Sequence, residues 1–286
     1  MKKLELITDV LAHVRALRMA GRRIGFVPTM GAIHEGHRSL MRAARAGCDE
    51  VIVSIFVNPT QFSPGEDYDR YPRPVEEDLA ACQAEGVDTV FCPCVEEMYP
   101  AGWATTVSVA RLTQGLCGAH RAGHFDGVTT VVAKLFNIVQ PDVAYFGQKD
   151  AQQAVVIRQM VRDLLWPIEI VVCPTVRESD GLAVSSRNSY LTPEQRVQAR
   201  CLYAALRGAQ ARLAGGQRDA ASLAAEMREG IQSAGPCSID YVALVDADDL
   251  TAQQTVEGRC LIALAVRIGP ARLIDNVVVD TGTGES

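Results

Sequence analysis

Four absences narrow the class of this chain: it has no uninterrupted hydrophobic run, no paired cysteines, no cationic excess and no internal repetition. Its longest apolar stretch, around Val128 to Phe146, is broken by Lys134, Pro141 and Asp142, whereas a membrane-spanning helix needs about 20 apolar residues in succession. The N-terminus meets charge at Lys2, Lys3 and Glu5 before any signal-like apolar core. Neither a leader nor a membrane anchor is expected, and the cytoplasm is the expected compartment. The nine cysteines are odd in number and lack the paired spacing of a zinc ribbon, so reduced thiols are the simplest reading. Cys92-Pro93-Cys94 has no partner motif and reads as a strand exit. A net charge of −6 argues against a surface that tracks a nucleic acid, yet it leaves room for a local cationic pocket and a small anionic ligand. The lack of a repeat or low-complexity tract excludes a repeat array.

What is present is enough for a full core: 286 residues, 48% of them hydrophobic, suit two ordinary domains. From Ile24 to about Pro174, strand-like runs (Ile24 to Val27, Val51 to Val57, Thr89 to Phe91, Asp142 to Phe146, Ile168 to Val172) alternate with helical windows such as Val75 to Glu85 and Ala151 to Leu165. That βαβ rhythm predicts a parallel sheet with ligands at the carboxyl ends of its strands. After Pro174 come helical windows from Pro193 to Leu213 and Asp219 to Gln232, then strand-like runs at Asp240 to Val245, Cys260 to Val266 and Arg272 to Ile274. The expected fold is α/β: a Rossmann-like parallel-sheet, nucleotide-binding domain over 1–175 and a smaller α+β domain over 176–286. Thr281 to Ser286 reads as a frayed tail.

Three motifs carry chemistry. Val27-Pro28-Thr29-Met30-Gly31-Ala32-Ile33-His34-Glu35-Gly36-His37 joins a buried strand to a helix through a His-x-Gly-His turn. Backbone N–H groups and the positive end of a helix dipole meet at such a turn, and phosphate suits both, with Gly31 and Gly36 letting it approach. Two histidines three apart also suit an ordinary polar cap. A metal reading needs a third ligand, and His120 and His124 are not spaced as zinc partners. Gly147-Gln148-Lys149-Asp150 follows another strand and opens a helix, where a lysine makes sense if an anion lies between the two positive ends. Asp150 would cap that helix or accept from a ribose, and Gln153 would point toward the same cleft. Val184-Ser185-Ser186-Arg187, at the junction of the proposed domains, reads as a linker or as a phosphate clamp that closes over a nucleotide.

Together, His-x-Gly-His and Ser-Ser-Arg resemble the paired signatures of adenylate-forming nucleotidyltransferases related to class I aminoacyl-tRNA synthetases. The order Pro28 to His37, Val53 to Phe62, Gly123 to Val128, Phe146 to Asp150, Ser185 to Asn188 and Ala271 to Asn276 is similar to that of the pantothenate synthetase family over nearly the whole chain. The resemblance implies a two-step ligation: pantoate and ATP give pantoyl adenylate and pyrophosphate, then β-alanine displaces AMP to give pantothenate, a precursor of coenzyme A. It also implies catalytic roles for His34, His37, Lys149 and Arg187. ATP contacts would run from Met30 to His37 (Met30, Gly31, Ala32, Ile33, His34, Glu35, Gly36, His37), then through Gly147, Gln148, Lys149, Asp150, Val176, Val184, Ser185, Ser186 and Arg187. Gln61 and Gln153 would hold pantoate, since amides both donate and accept. Mg²⁺ would accompany the ATP, with Asp78 a possible contact, although an acid in a first helical turn equally serves the helix dipole. A cytoplasmic homodimer is part of the same expectation.

The chain departs from the family in having Arg121-Ala122-Gly123-His124-Phe125 where Arg-Pro-Gly-His-Phe is common. The synthetases' Lys-Met-Ser-Lys-Ser loop is replaced by Ala183-Val184-Ser185-Ser186-Arg187, which leaves one strong cation in place of two. Two alternatives remain open from the sequence. One is an adenylyltransferase with a phosphorylated acceptor, which would call for an extra Arg or Lys beside Gln61 and Gln153. The other is a nucleotide-sensing or RNA-binding module without turnover, which the acidic balance disfavours.

Overall fold

The computed structural model describes residues 1–282, so most of the tail expected from Thr281 to Ser286 lies outside the described residues. Strands β1 (Lys2–Leu4), β2 (Ile24–Thr29), β3 (Glu50–Ile55), β4 (Thr89–Phe91), β5 (Val143–Gly147) and β6 (Glu169–Cys173) form one parallel sheet, ordered β1-β4-β3-β2-β5-β6. Parallel strands covered on both faces read as continuous apolar runs, as β2 and β3 do. Phe26, Ile52 and Phe146 face a core with Phe136 and Ile157, whereas Val27, Val53 and Tyr145 face the opposite one with Met41. The helices around the sheet are α1 (Ile7–Met19), α2 (Glu35–Gly47), α3 (Val75–Ala84), α4 (Val95–Met98), α5 (Cys117–His120), α6 (His124–Val139) and α7 (Ala151–Asp163).

The chain leaves β2 toward β3 on one side, while β5 lies on the other. The loops after β2 and β5 therefore flank the crevice where a doubly wound sheet reverses direction. His34 and Lys149 stand on those two loops. The strand-like runs and the windows at α2, α3 and α7 are where periodicity places them, while β1, α1 and α6 were not anticipated. The C-terminal window from Pro193 divides at Ala199 into α8 (Pro193–Gln198) and α9 (Arg200–Ala214). Thr192 and Gln195 box the start of α8, each side chain bonding the other's backbone.

Helix α10 (Ala220–Ser233) and α9 cover an antiparallel sheet of β7 (Ser238–Asp246), β8 (Arg259–Ile268) and β9 (Ala271–Asp280). β8 is buried on both faces. Ile262 and Leu264 pack with Leu202, Leu206 and Ile231, whereas Leu261 and Ala263 pack on Ala151 at the start of α7. Polar contacts tie the sheets together: Asn276 Nδ2 donates to the Gln148 and Lys149 carbonyls, both at 2.9 Å. Gln148 Nε2 returns a 2.9 Å bond to Asn276 Oδ1. The Arg177 guanidinium makes a two-point pair with the buried Asp275 carboxylate, at 2.6 and 2.9 Å, and lies over the Tyr203 ring. All nine cysteines are free, and no described helix is long and apolar enough to cross a membrane.

Candidate active site

The turn after β2 is built around an internal carboxylate. Gly31 and Ala32 both have positive φ, 80° and 49°, a conformation that costs a residue with a Cβ. The Ala32 and Ile33 N–H groups donate to Asp78 Oδ2 and Oδ1 at 2.9 and 2.7 Å. A Cβ on Gly31 would fall 2.7 Å from that carboxylate, so the close approach this glycine permits is to Asp78. Gly36 likewise makes room for the His34 ring. Burial raises the Asp78 pKa, and the two N–H bonds only partly oppose it. Both Asp78 oxygens are thus engaged with the turn. Among the described residues, no group of three or more His, Cys, Asp or Glu side chains is disposed to hold a metal.

His34 precedes α2 and His37 sits in its first turn, and their rings stack with centroids 4.0 Å apart. The His34 N–H donates to His37 Nδ1 at 3.3 Å, which leaves His37 Nε2 to carry the ring proton and donate outward. His34 Nδ1 is buried with no partner among the described residues. Burial first, and Lys149 second, pull the His34 pKa down to about 4; burial, with His34 and Lys149, carries His37 well below its usual value. Both rings are neutral donors at pH 7. Because the folded pKa lies below the unfolded one, the stability linked to these neutral rings is intact above pH 6.5 and is lost as pH falls toward 4. A ring-resolved NMR titration of the ligand-free protein is expected to place the His34 midpoint near 4. A midpoint at the ordinary 6.5 would contradict the buried, stacked arrangement.

Across the crevice, Gln148 to Asp150 form a short 3₁₀ turn before α7. Asp150 makes no side-chain cap and lies half-exposed with its carboxylate 3.9 Å from Lys149 Nζ. That leaves it available to a hydroxyl rather than to the helix. Neighbouring glutamines on α7 diverge: Gln152 is buried and bonds Cys117 N and the Leu112 and Gly115 carbonyls, while Gln153 faces the crevice. Gln61 ends a 3₁₀ turn after β3, its Oε1 accepting from Asn58 Nδ2 at 3.0 Å and its Nε2 3.0 Å from Met30 Sδ. Asn58 is buried and fully bonded through Tyr99, Thr60 and Gly127.

The third wall is the Val184 to Arg187 segment, tied to the strand-end loop by the Val184 N–H on the Val176 carbonyl. Arg187 makes a two-point pair with Asp67 at 3.1 and 3.2 Å. A cavity of about 220 Å³ at the strand ends is lined by Met30, His34, His37, Gln61, Gln153 and the 184–187 segment. It adjoins a second of about 600 Å³ beneath the three-stranded sheet, with Lys149, Gln153 and Arg187 lining both. Of the residues expected from the sequence, Met30, His34, Gly36, His37, Gly147, Lys149, Asp150, Val176, Ser185 and Ser186 reach the smaller cavity together with Gln61, Gln153, Val184 and Arg187. Gly31, Ala32, Ile33, Glu35 and Gln148 do not line it: Glu35 pairs with Arg42 on the exposed side of α2, and Gln148 is turned to Asn276. Asp67, Asn58, Arg121, His124 and Asn276 shape the site without having been singled out for it. Asn58, Arg121, His124 and Asn276 belonged to motifs quoted above, whereas Asp67 belonged to none.

Comparison with known proteins agrees with this geometry. Residues 2–278 match the pantoate-beta-alanine ligase family model. The chain is 59% identical over 280 residues to a pantothenate synthetase from Moorella thermoacetica, covering 98% of this chain and 99% of that one. A Heliobacterium modesticaldum pantothenate synthetase is 55% identical, with 98% and 100% covered. The crystal structure of the Thermus thermophilus pantothenate synthetase superposes with a TM-score of 0.93 at 45% identity, covering 99% and 100% of the two chains. The Francisella tularensis ligase, crystallised with beta-gamma ATP and β-alanine, superposes at 0.82 with 37% identity and 97% of each chain covered. A full-length family match, a matching two-sheet architecture and a crevice lined by His34, Lys149, Gln61 and Arg187 lead to one assignment: this chain belongs to the pantoate–β-alanine ligase family.

Proposed function

We propose that the crevice joins pantoate to β-alanine at the expense of ATP, with pantoate in the strand-end pocket and the triphosphate running past His34, His37 and Lys149 toward Ser185, Ser186 and Arg187. Gln61 and Gln153 present amides that both donate and accept, which matches the hydroxyls and carboxylate of pantoate. A pantoate carboxylate oxygen attacks the α-phosphorus, a new O–P bond forms, and the bond to the bridging oxygen breaks with its electrons passing to pyrophosphate. Charge grows on that leaving group. Lys149, the two neutral imidazoles and the 185–187 segment offer donors where it grows, and preorganised donors stabilise developing charge without reorganising. The β-alanine amine then attacks the adenylate carbonyl, the C–N bond forms, AMP leaves with the C–O bond electrons, and the proton the nitrogen gives up passes to solvent.

Mg²⁺ would neutralise phosphate charge. The Asp78 carboxylate is engaged with the turn, so the ion would draw its coordination from phosphate and water, a mode Mg²⁺ favours. Asp150, half-exposed beside Lys149, would accept from a ribose hydroxyl.

The observation that carries this reading is the convergence of Lys149, His34 and His37 on a pocket that two amides, Gln61 and Gln153, also line. Arg121 touches Gln61, donating to its carbonyl oxygen at 3.4 Å, and Glu66 neutralises that guanidinium through a two-point pair, with both bonds at 2.7 Å. A phosphorylated acceptor would lack an uncompensated partner there. The enzyme is expected to exchange pyrophosphate into ATP only when pantoate is present, with AMP release requiring β-alanine as well. Exchange independent of pantoate would sink the assignment of the pocket. Consumption of a phosphorylated acceptor would move it to the dinucleotide-forming class.

A further inference from the structure

We propose that His124 is a positioning residue for Gln61, its ring held as the neutral tautomer protonated on Nδ1 so that it fixes the Gln61 backbone carbonyl and, through it, the amide that meets the acid substrate. The inference rests on the placement of pantoate at Gln61 given above. His124 opens α6 and is 9% exposed. Its Nδ1 lies 2.7 Å from the Gln61 carbonyl oxygen, which can only accept, so Nδ1 carries a proton. Its Nε2 lies 2.8 Å from an Arg121 guanidinium nitrogen, which can only donate, so Nε2 is a bare lone pair. One neighbour of each polarity leaves a single tautomer.

Arg121 is itself immobilised, with Nε and one terminal nitrogen on the two Glu66 oxygens at 2.7 Å each. Burial first, and Arg121 second, depress the His124 pKa to about 4, in keeping with a neutral ring. Backbone position matters here because α6 presses directly on the turn. A Cβ on Gly127 would fall 2.3 Å from the Thr60 carbonyl oxygen and 2.6 Å from Gln61 Cα. Asn58 orients the end of the Gln61 side chain, whereas His124 and Gly127 set where that side chain begins.

Two substitutions separate the ring's two nitrogens. In His124→Asn the amide NH₂ takes the place of Nδ1 and keeps the bond to Gln61, losing only the acceptor for Arg121. In His124→Gln the amide oxygen reaches toward Arg121 in place of Nε2, and the bond to Gln61 is lost. Each variant forfeits one hydrogen bond, so a merely structural role predicts equal effects on both.

Positioning predicts that His124→Asn keeps the pantoate KM in pyrophosphate exchange within about twofold, while His124→Gln raises it about tenfold, as one lost hydrogen bond would. ATP KM is expected to be unchanged in both variants, and nitrogen NMR of the wild-type ring should find the proton on Nδ1. Equal effects of the two variants, no effect of either, or the reverse order would overturn the inference, provided that Gln61→Ala impairs pantoate use. A Gln61→Ala variant with unaltered pantoate KM and kcat would instead overturn the placement of pantoate, and the inference with it.

Discussion

Lys149→Ala is expected to lower the pantoate-dependent exchange rate by about 10²- to 10³-fold, the loss typical of removing one preorganised charge donor, while ATP affinity changes only a few-fold. Lys149 stands in the 3₁₀ turn before α7, beside His34 and His37, and among the described residues the carboxylate paired with it is Asp150 at 3.9 Å. Its charge is thus met by one loose, half-exposed ion pair and no direct side-chain hydrogen bond among the described residues. ATP already carries its charge when it binds, but the bridging oxygen gains more as pyrophosphate departs. An interaction that strengthens along that coordinate appears in kcat rather than in ground-state binding. Single-turnover adenylate formation beside equilibrium ATP binding separates the two. A loss confined to ATP affinity would make Lys149 a binding group alone.

Arg177→Ala is expected to cost about 3–5 kcal/mol of stability, measured by chemical denaturation, because it strands a buried carboxylate. Asp275 is 3% exposed, and apart from Arg177 its described donor is the Asn276 N–H at 2.8 Å. Arg177→Lys should recover little, since one ammonium cannot reproduce a two-point fork. Replacing both partners with apolar residues should cost less than replacing Arg177 alone, and an equal or larger cost would locate the effect elsewhere, in the stacking on Tyr203. The effect reaches the crevice, because Arg177 follows Val176, whose carbonyl accepts from Val184 at the start of the 184–187 segment.

The strand-turn-helix at His34 was legible because an apolar run, a glycine and an amphipathic helix stand in immediate succession. Gln153 was legible for a similar reason: one turn of helix links it to Lys149. Helix α6 was not, since it is buried at every position except Asp126, Lys134 and Asn137 and so shows no polar face to set a period. β1, three residues at the sheet edge, offers too little pattern to read. Asp78 looked like a dipole partner for its own helix, and its true partners lie 45 and 46 residues away. The pairs Arg187 with Asp67 and Arg177 with Asp275 span 120 and 98 residues. No local rule marks such pairs; the closed fold alone makes them neighbours.

Asp78 gives the turn after β2 an anion of its own. The amides of Ala32 and Ile33 are saturated before any nucleotide arrives, so the turn has its shape in advance and binding pays no ordering cost there. On the opposite wall Arg187 already holds Asp67 through Nε and one terminal nitrogen, so a phosphate placed there as proposed would share the guanidinium with an internal carboxylate. The crevice is therefore asymmetric, with one wall whose acid is spent on shaping a turn and another whose acid is held on a guanidinium at the cavity.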